Sequence, residues 1–128
     1  MNKSKVCPCG SNKTYVDCCC RYLTGSETPA TAETLMRSRY SAYTLLRDDY
    51  LLHTWHPSTR PAQLGLADDA AKKWLGLQVQ RYEQKDADHA IVEFVARYKI
   101  GGRAHRLHEV SRFVREDVRW FYLDGEVD

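Results

Sequence analysis

All five cysteines of this 128-residue chain fall between positions 7 and 20, and no cysteine follows Cys20. A disulfide framework scatters cysteines so that distant segments can be tied together, whereas a metal site gathers them in short turns. The pattern Cys7-x-Cys9, eight residues, then Cys18-Cys19 supplies four soft sulfur ligands suited to one tetrahedral Zn²⁺. Iron–sulfur ligation also uses four cysteines, but its common spacings differ. Pro8 stiffens the first turn, and Gly10-Ser11-Asn12 tolerates left-handed backbone that turns amide N–H groups toward a thiolate. Lys5, Lys13 and Arg21 can offset the negative charge of the site. With all four positions filled by protein no place remains for a substrate water, so the metal is expected to be structural. Cys20 adjoins Cys19 and has nearly the same reach.

A chain of this length is one ordinary domain with room for a small appendage, long enough to bury a core without disulfide staples. Its 43% hydrophobic and 28% charged residues exclude a disordered or fibrous protein. No run approaches the ~18 apolar residues of a membrane span. The segment Met1 to Val6 leads into cysteines where a secretory signal would place its apolar stretch, so a cytoplasmic location without a membrane partner is expected. The formal net charge of +2 counts every cysteine as neutral. Four thiolates holding a dication bring the total to about zero, which removes any global pull toward nucleic acid.

Beyond the cysteines, residues 25–29 form a short Gly/Ser/Thr/Pro linker. Thr31 is placed to cap a helix with Glu33 in its first turn, and the helix is expected to run to about Leu52. Leu35, Met36, Tyr40, Tyr43, Leu46, Tyr50 and Leu51 recur at intervals of three and four, the period of one buried helical face. The run from His56 to Pro61 breaks the helix, and residues 64–73 read as loop with a short helix. From Trp74 the period changes to two. Leu75, Leu77 and Val79 alternate with polar or small residues, as do Val92, Phe94, Ala96 and Tyr98. Gly101-Gly102 predicts a hairpin turn into a third strand over residues 106–115. Glu116-Asp117 predicts a second turn, into a fourth strand over residues 119–123 that ends at Asp124-Gly125. Helix first and a meander of strands after it make an α+β fold, with a knuckle over residues 1–24 and a second domain over residues 28–128.

The run CPCGSNKTYVDCC resembles the SEC-C motif, the zinc tail of the translocation ATPase SecA. By position, Cys7, Cys9 and Cys18 match its first three ligands and Cys19 the fourth, which is usually histidine in SecA; Asn12 stands where the motif commonly has glycine. Further along, RYLTG, TAETLMRSRYSAY, YLLHTWHPSTR and WLGLQV together resemble the bacterial YchJ family. That resemblance implies a SEC-C zinc knuckle followed by an NTF2-like cone, a long helix packed on a curved antiparallel sheet. It implies no particular reaction.

Cones of this type often enclose a pocket, and Tyr43, Trp55, His56, Arg60, Glu109 and Arg112 are the candidates to line one. If Glu109 faces inward, a carboxylate and an imidazole could converge there for acid–base work. Aromatics at helical spacing are more often core, and strand Arg and Glu more often pair across a solvated face. No phosphate loop, GxSxG elbow or HExxH is present, His105 and His108 are three apart on a strand and so face opposite ways, and no catalytic residue is assigned. Two functions follow. In the first, the knuckle is an adaptor that docks on an acidic protein surface through Lys3, Lys5, Lys13 and Arg21, as the SecA tail engages the chaperone SecB; RNA or the ribosome is the competing partner. In the second, the cone is a small-molecule binding site or enzyme. A filled cone favours the adaptor, and an open cavity with convergent polar groups favours the ligand site.

Overall fold

In the computed structural model, which describes residues 5–65 and 72–127, a cysteine-rich turn leads through a 3₁₀ turn (Tyr15–Asp17) into the short helix α1 (Cys20–Leu23). Two helices follow, α2 (Ala32–Thr44) and α3 (Asp48–His53). The Thr31 hydroxyl accepts the Thr34 amide at 3.1 Å and so caps α2, whose first turn carries Glu33. The short helix expected within residues 64–73 falls mostly on residues 66–71, outside the described residues. No helix among the described residues is long and apolar enough to cross a membrane.

The single helix expected as far as Leu52 is instead broken after Thr44. Leu46 adopts φ 56°, its N–H donates to the Tyr43 carbonyl at 3.3 Å, and the Arg47 N–H reaches back to the Ala42 carbonyl at 2.8 Å. Those two bonds are the pair that closes a Schellman cap, at a position normally held by glycine. Leucine there hides the stop, because it also continues the apolar period across the break.

Four antiparallel strands form a meander in the order β1-β2-β3-β4: β1 (Lys73–Gln84), β2 (His89–Ile100), β3 (Arg103–Glu116) and β4 (Arg119–Val127). All four outrun the alternating segments of the sequence. β4 does not end at Asp124-Gly125, because Gly125 pairs with Ser111 inside the ladder. A register shift between Trp74 and Gly76 turns Leu75 outward, where it is 50% exposed, while Trp74 and Leu77 pack on the core. Leu75 therefore does not share the inner face with Leu77 and Val79.

Gly101 and Gly102, at φ 57° and 81°, make the two-residue turn between β2 and β3. The last turn is Asp117-Val118, one position later than expected, at φ 51° and 66°. A β-branched residue in left-handed backbone is strained, and Val118 is 77% exposed with little packing to lose. Val118→Gly should therefore raise stability by about 1 kcal/mol, since it relieves that strain against the greater freedom of glycine in the unfolded chain. An unchanged or lower urea midpoint would count against a strained turn.

The helices pack on the inner sheet face. Leu35, Met36 and Tyr40 of α2 meet Val92 and Phe94 of β2, Phe113 of β3 and Trp120 of β4. A second cluster joins the four knuckle cysteines to Leu23, Ala42, Tyr50 and Leu51. Helix α2 is thus covered on two sides, and Ser38 and Ser41 are fully buried between it and its neighbours. Small hydroxyl residues permit that close approach because their oxygens find partners: Ser38 donates to the Leu35 carbonyl and meets the Tyr50 hydroxyl, both at 2.7 Å. After α3 the backbone pairs with β4. The His56 N–H donates to the Tyr122 carbonyl at 2.8 Å, and the Tyr122 N–H to the Thr54 carbonyl at 2.9 Å.

Candidate metal centre and cone cavity

Cys7 and Cys9 sit on a turn pinched by the Val6–Thr14 bridge, with the Cys7 N–H donating to the Lys13 carbonyl at 2.8 Å. Gly10 and Asn12 take φ 82° and 67°, the left-handed conformations that wind this turn around its sulfurs. The 3₁₀ turn then brings Cys18 and Cys19 to the entrance of α1. All four sulfurs lie within 4.8 Å of one another, and all four residues are buried. A tetrahedron of metal–sulfur bonds ~2.3 Å long places its sulfurs about 3.8 Å apart. Here Cys9 and Cys18 are 3.6 Å apart and Cys18 and Cys19 4.0 Å, a cage that fits a metal ion.

The surroundings suit negative sulfur. The Ser11 hydroxyl lies 3.2 Å from Cys18 Sγ, and the Ser41 hydroxyl of α2 lies 3.5 Å from Cys7 Sγ. Cys7 is held far below the ordinary thiol range, chiefly by the hydrogen bonds of Cys19 and Cys9, while Cys19 is pushed far above it by the same contacts and by burial. Packed thiols so opposed cannot all ionise unless a cation joins them. Cys20 is half-buried and lies outside the cage.

The knuckle is seated firmly. Arg37 of α2 donates to the Cys9 carbonyl at 2.8 Å while its Nε pairs with Glu33 at 3.1 Å. Of the candidate basic surface, Lys5 and Lys13 are exposed. Arg21 is engaged, donating to the Cys18 carbonyl at 3.1 Å and pairing with Glu27 at 3.3 Å. Lys3 lies outside the described residues.

Between α2 and the inner sheet face is a cavity of about 500 Å³. Of the six pocket candidates, Tyr43 and Glu109 line it. Arg112 does not, because Glu109, Ser111 and Phe113 point inward and Arg112, between them, points out to Asp124 at 2.6 Å and Glu126 at 3.2 Å. Trp55, His56 and Arg60 lie on the segment that flanks β4, and none of them lines the cavity. The His56 imidazole does meet a carboxylate, but that of Glu116 at 2.8 Å, and among the described residues no histidine lines the cavity.

The polar groups that do converge include three not singled out above: Arg39, Ser111 and Tyr122. Glu109 Oε2 accepts from the Ser111 hydroxyl at 2.6 Å and the Tyr122 hydroxyl at 3.1 Å. Arg39 is 4% exposed. Its Nη1 donates to the Leu51 carbonyl at 2.8 Å and Thr54 Oγ1 at 2.7 Å, and its Cζ lies 4.5 Å from the Tyr122 ring centroid and 5.2 Å from that of Trp55. Burial lowers its affinity for the proton, and burial raises Tyr40 to about 12 and Tyr43 above its ordinary value. A signal for Arg39 was present in the sequence: it stands three after Met36 and four before Tyr43, in phase with the apolar stripe.

A four-cysteine knuckle in the SEC-C arrangement, seated on an α+β cone with an internal cavity, defines a SEC-C protein of NTF2-like fold. Residues 31–125 match the family described as YchJ, middle NTF2-like domain, and the chain belongs to the YchJ family. Among its relatives is a UPF0225 protein from Ralstonia nicotianae, 57% identical over an alignment that covers 95% of this chain and 91% of that one. A UPF0225 protein from Bordetella parapertussis is 55% identical over 125 residues, 95% of this chain and 92% of that one. The solution structure of a SEC-C motif containing protein from Rhodopseudomonas palustris superposes with a TM-score of 0.84 at 36% identity, covering 95% of this chain and 98% of that one. The crystal structure of another, from Psychrobacter arcticus, gives the same TM-score of 0.84 at 29% identity, over 99% of this chain and 85% of that one.

Proposed function

We propose that this protein binds a small molecule in the cone cavity, and that the knuckle holds one structural Zn²⁺ that anchors one side of α2. The observation that carries the reading is the cavity itself: about 500 Å³, walled by aromatic side chains, with Arg39, Glu109 and Tyr43 converging on it. An open cavity with polar groups is the feature that separates a ligand site from a filled scaffold. Zinc follows from the donor set, because four thiolates in a closed tetrahedron suit it and leave no position for substrate. A thermal-shift screen against soluble metabolites tests the site. Ala96 lies on the cavity wall, and Ala96→Phe should fill the space and abolish the shift given by any true ligand. Hits that bind the filled variant equally well would place the site elsewhere.

A second reading keeps the knuckle as an adaptor, favoured by the exposure of Lys5 and Lys13 beside Val6 at 59% and Val16 at 52%. An acidic protein partner would then be lost by Lys5→Glu/Lys13→Glu and weakened moderately by salt; a steep linear loss with log salt would point to RNA.

A further inference from the structure

Resting on the cavity reading, we propose that the cone takes a small aromatic carboxylate bearing a hydroxyl or amino group, with the ligand carboxylate on Arg39 and its donor on Glu109. The guanidinium is the reason for the charge. Both donors of Nη1 are committed to Leu51 and Thr54, and the Tyr43 hydroxyl, which lines the same cavity, is the guanidinium's further side-chain partner. Arg39 lines the cavity together with Tyr43, so with Nη1 turned to Leu51 and Thr54 the Nε–Nη2 edge is the part left to face that space, beside an exchangeable phenol hydroxyl and not a carboxylate. That edge is the fork that holds a carboxylate by two parallel hydrogen bonds.

No carboxylate of the described chain forms an ion pair with Arg39, although a buried charge is costly without a counter-ion. The ligand supplies one. Lys72 adds positive potential at the lining, held 4.8 Å over the Tyr98 ring and 5.4 Å over that of Trp74. The acceptor pole is Glu109: both hydroxyl contacts fall on Oε2, and Oε1 has no protein donor among the described residues. Tyr122 ties the two poles together, its ring beneath the guanidinium and its hydroxyl on the carboxylate. Donor and acceptor are thus held at the ring and at the hydroxyl of one tyrosine side chain. Tyr40, Tyr43, Trp74, Phe94 and Phe113 supply walls that favour such a ring.

The test is an amide-resolved NMR titration of the full-length, zinc-loaded protein with 4-hydroxybenzoate and, separately, its uncharged analogue 4-hydroxybenzamide. The acid should shift cavity amides of α2 and β3 and bind at least ~10-fold tighter than the amide. Equal affinity of the two at the cavity would overturn the ligand class and leave the cavity reading standing. Shifts confined to other surfaces, or none with either probe, would overturn the proposal, and the cavity reading falls with it only if the metabolite screen is also blank. Arg39→Lys keeps a charge but loses the fork, and should lose most of the preference for the acid. A folded Arg39→Lys protein that retains the full preference overturns the proposal. Should that variant not fold, Ala96→Phe with Arg39 intact decides: undiminished affinity for the acid overturns it, and loss supports it.

Discussion

Cys9→Ser is expected to abolish stoichiometric zinc binding and to lower the melting temperature of the whole protein, not of the first twenty residues alone. Cys9 is completely buried, and its sulfur lies within the cage that gathers all four ligands. Binding of structural zinc by small thiolate sites contributes on the order of 10 kcal/mol, so a site with three ligands loses most of what orders it. Apart from its seat on α2 and α3 the knuckle has little else to keep it folded, because its own apolar residues are few and Val6 and Val16 face solvent. Its loss is felt beyond it. Leu51 and Tyr50 of α3 and Ala42 of α2 are buried against the cysteines, and uncovering them should cost about 2–4 kcal/mol in addition. The sheet shares a second cluster with the other side of α2, around Leu35, Val92, Phe94 and Phe113, so strand circular dichroism should persist below the melting point while α1 and α3 loosen. Elemental analysis and thermal melts check both parts. One zinc per chain in the purified variant, or an unchanged melting temperature, would refute the coupled site.

Gly10→Ala should destabilise the protein by about 2–3 kcal/mol and speed the release of zinc to a chelator. Gly10 has φ 82°, and a Cβ built on it would stand 2.8 Å from the Leu77 carbonyl oxygen. That oxygen belongs to the backbone of β1 and cannot swing aside as a side-chain tip would, so the knuckle must lift off the strand. Gly25→Ala is the control. Gly25 has nearly the same φ, 84°, but nothing within 4 Å of the added carbon, and should show the strain alone, about 1 kcal/mol. Equal losses for the two variants would mean that the close approach to β1 contributes nothing.

The cysteine cage was legible because cysteine has few other reasons to cluster, and the spacing picks out the four residues whose sulfurs the fold gathers. Helix α2 and the meander were legible from period, since burial on one side leaves a period in the sequence. What stayed hidden was local backbone chosen against residue preference. Leu46 and Val118 occupy left-handed positions that glycine would have announced, and the bulge at Leu75 inverts one residue of an otherwise regular alternation. The cavity was half legible. Glu109 and Tyr43 follow from strand and helix phase, but only nearness in sequence joins Trp55, His56 and Arg60 to them, and the chain after α3 runs along β4 instead. Arg39 is hidden in the sequence because a charge in an apolar stripe reads as an interruption, whereas here it is a buried member of the stripe.

The docking of Gly10 on Leu77 also bears on how the sheet ends. An open strand edge is a template on which another chain can pair and propagate. At one edge, β4 is already bonded by the backbone of Thr54 and His56. At the other, the knuckle loop stands against Leu77, and the far stretch of β1 carries Arg81 and Glu83, joined with Lys85 just past its end in ion pairs at 3.2 and 3.4 Å. A charged edge interrupted by a register shift, as this one is between Val79 and Arg81, resists pairing. The knuckle therefore also covers this edge: where it lifts, the stretch of β1 from Leu77 to Val79 is left unpaired, and a chain with its knuckle unseated is expected to offer a surface for strand-to-strand assembly.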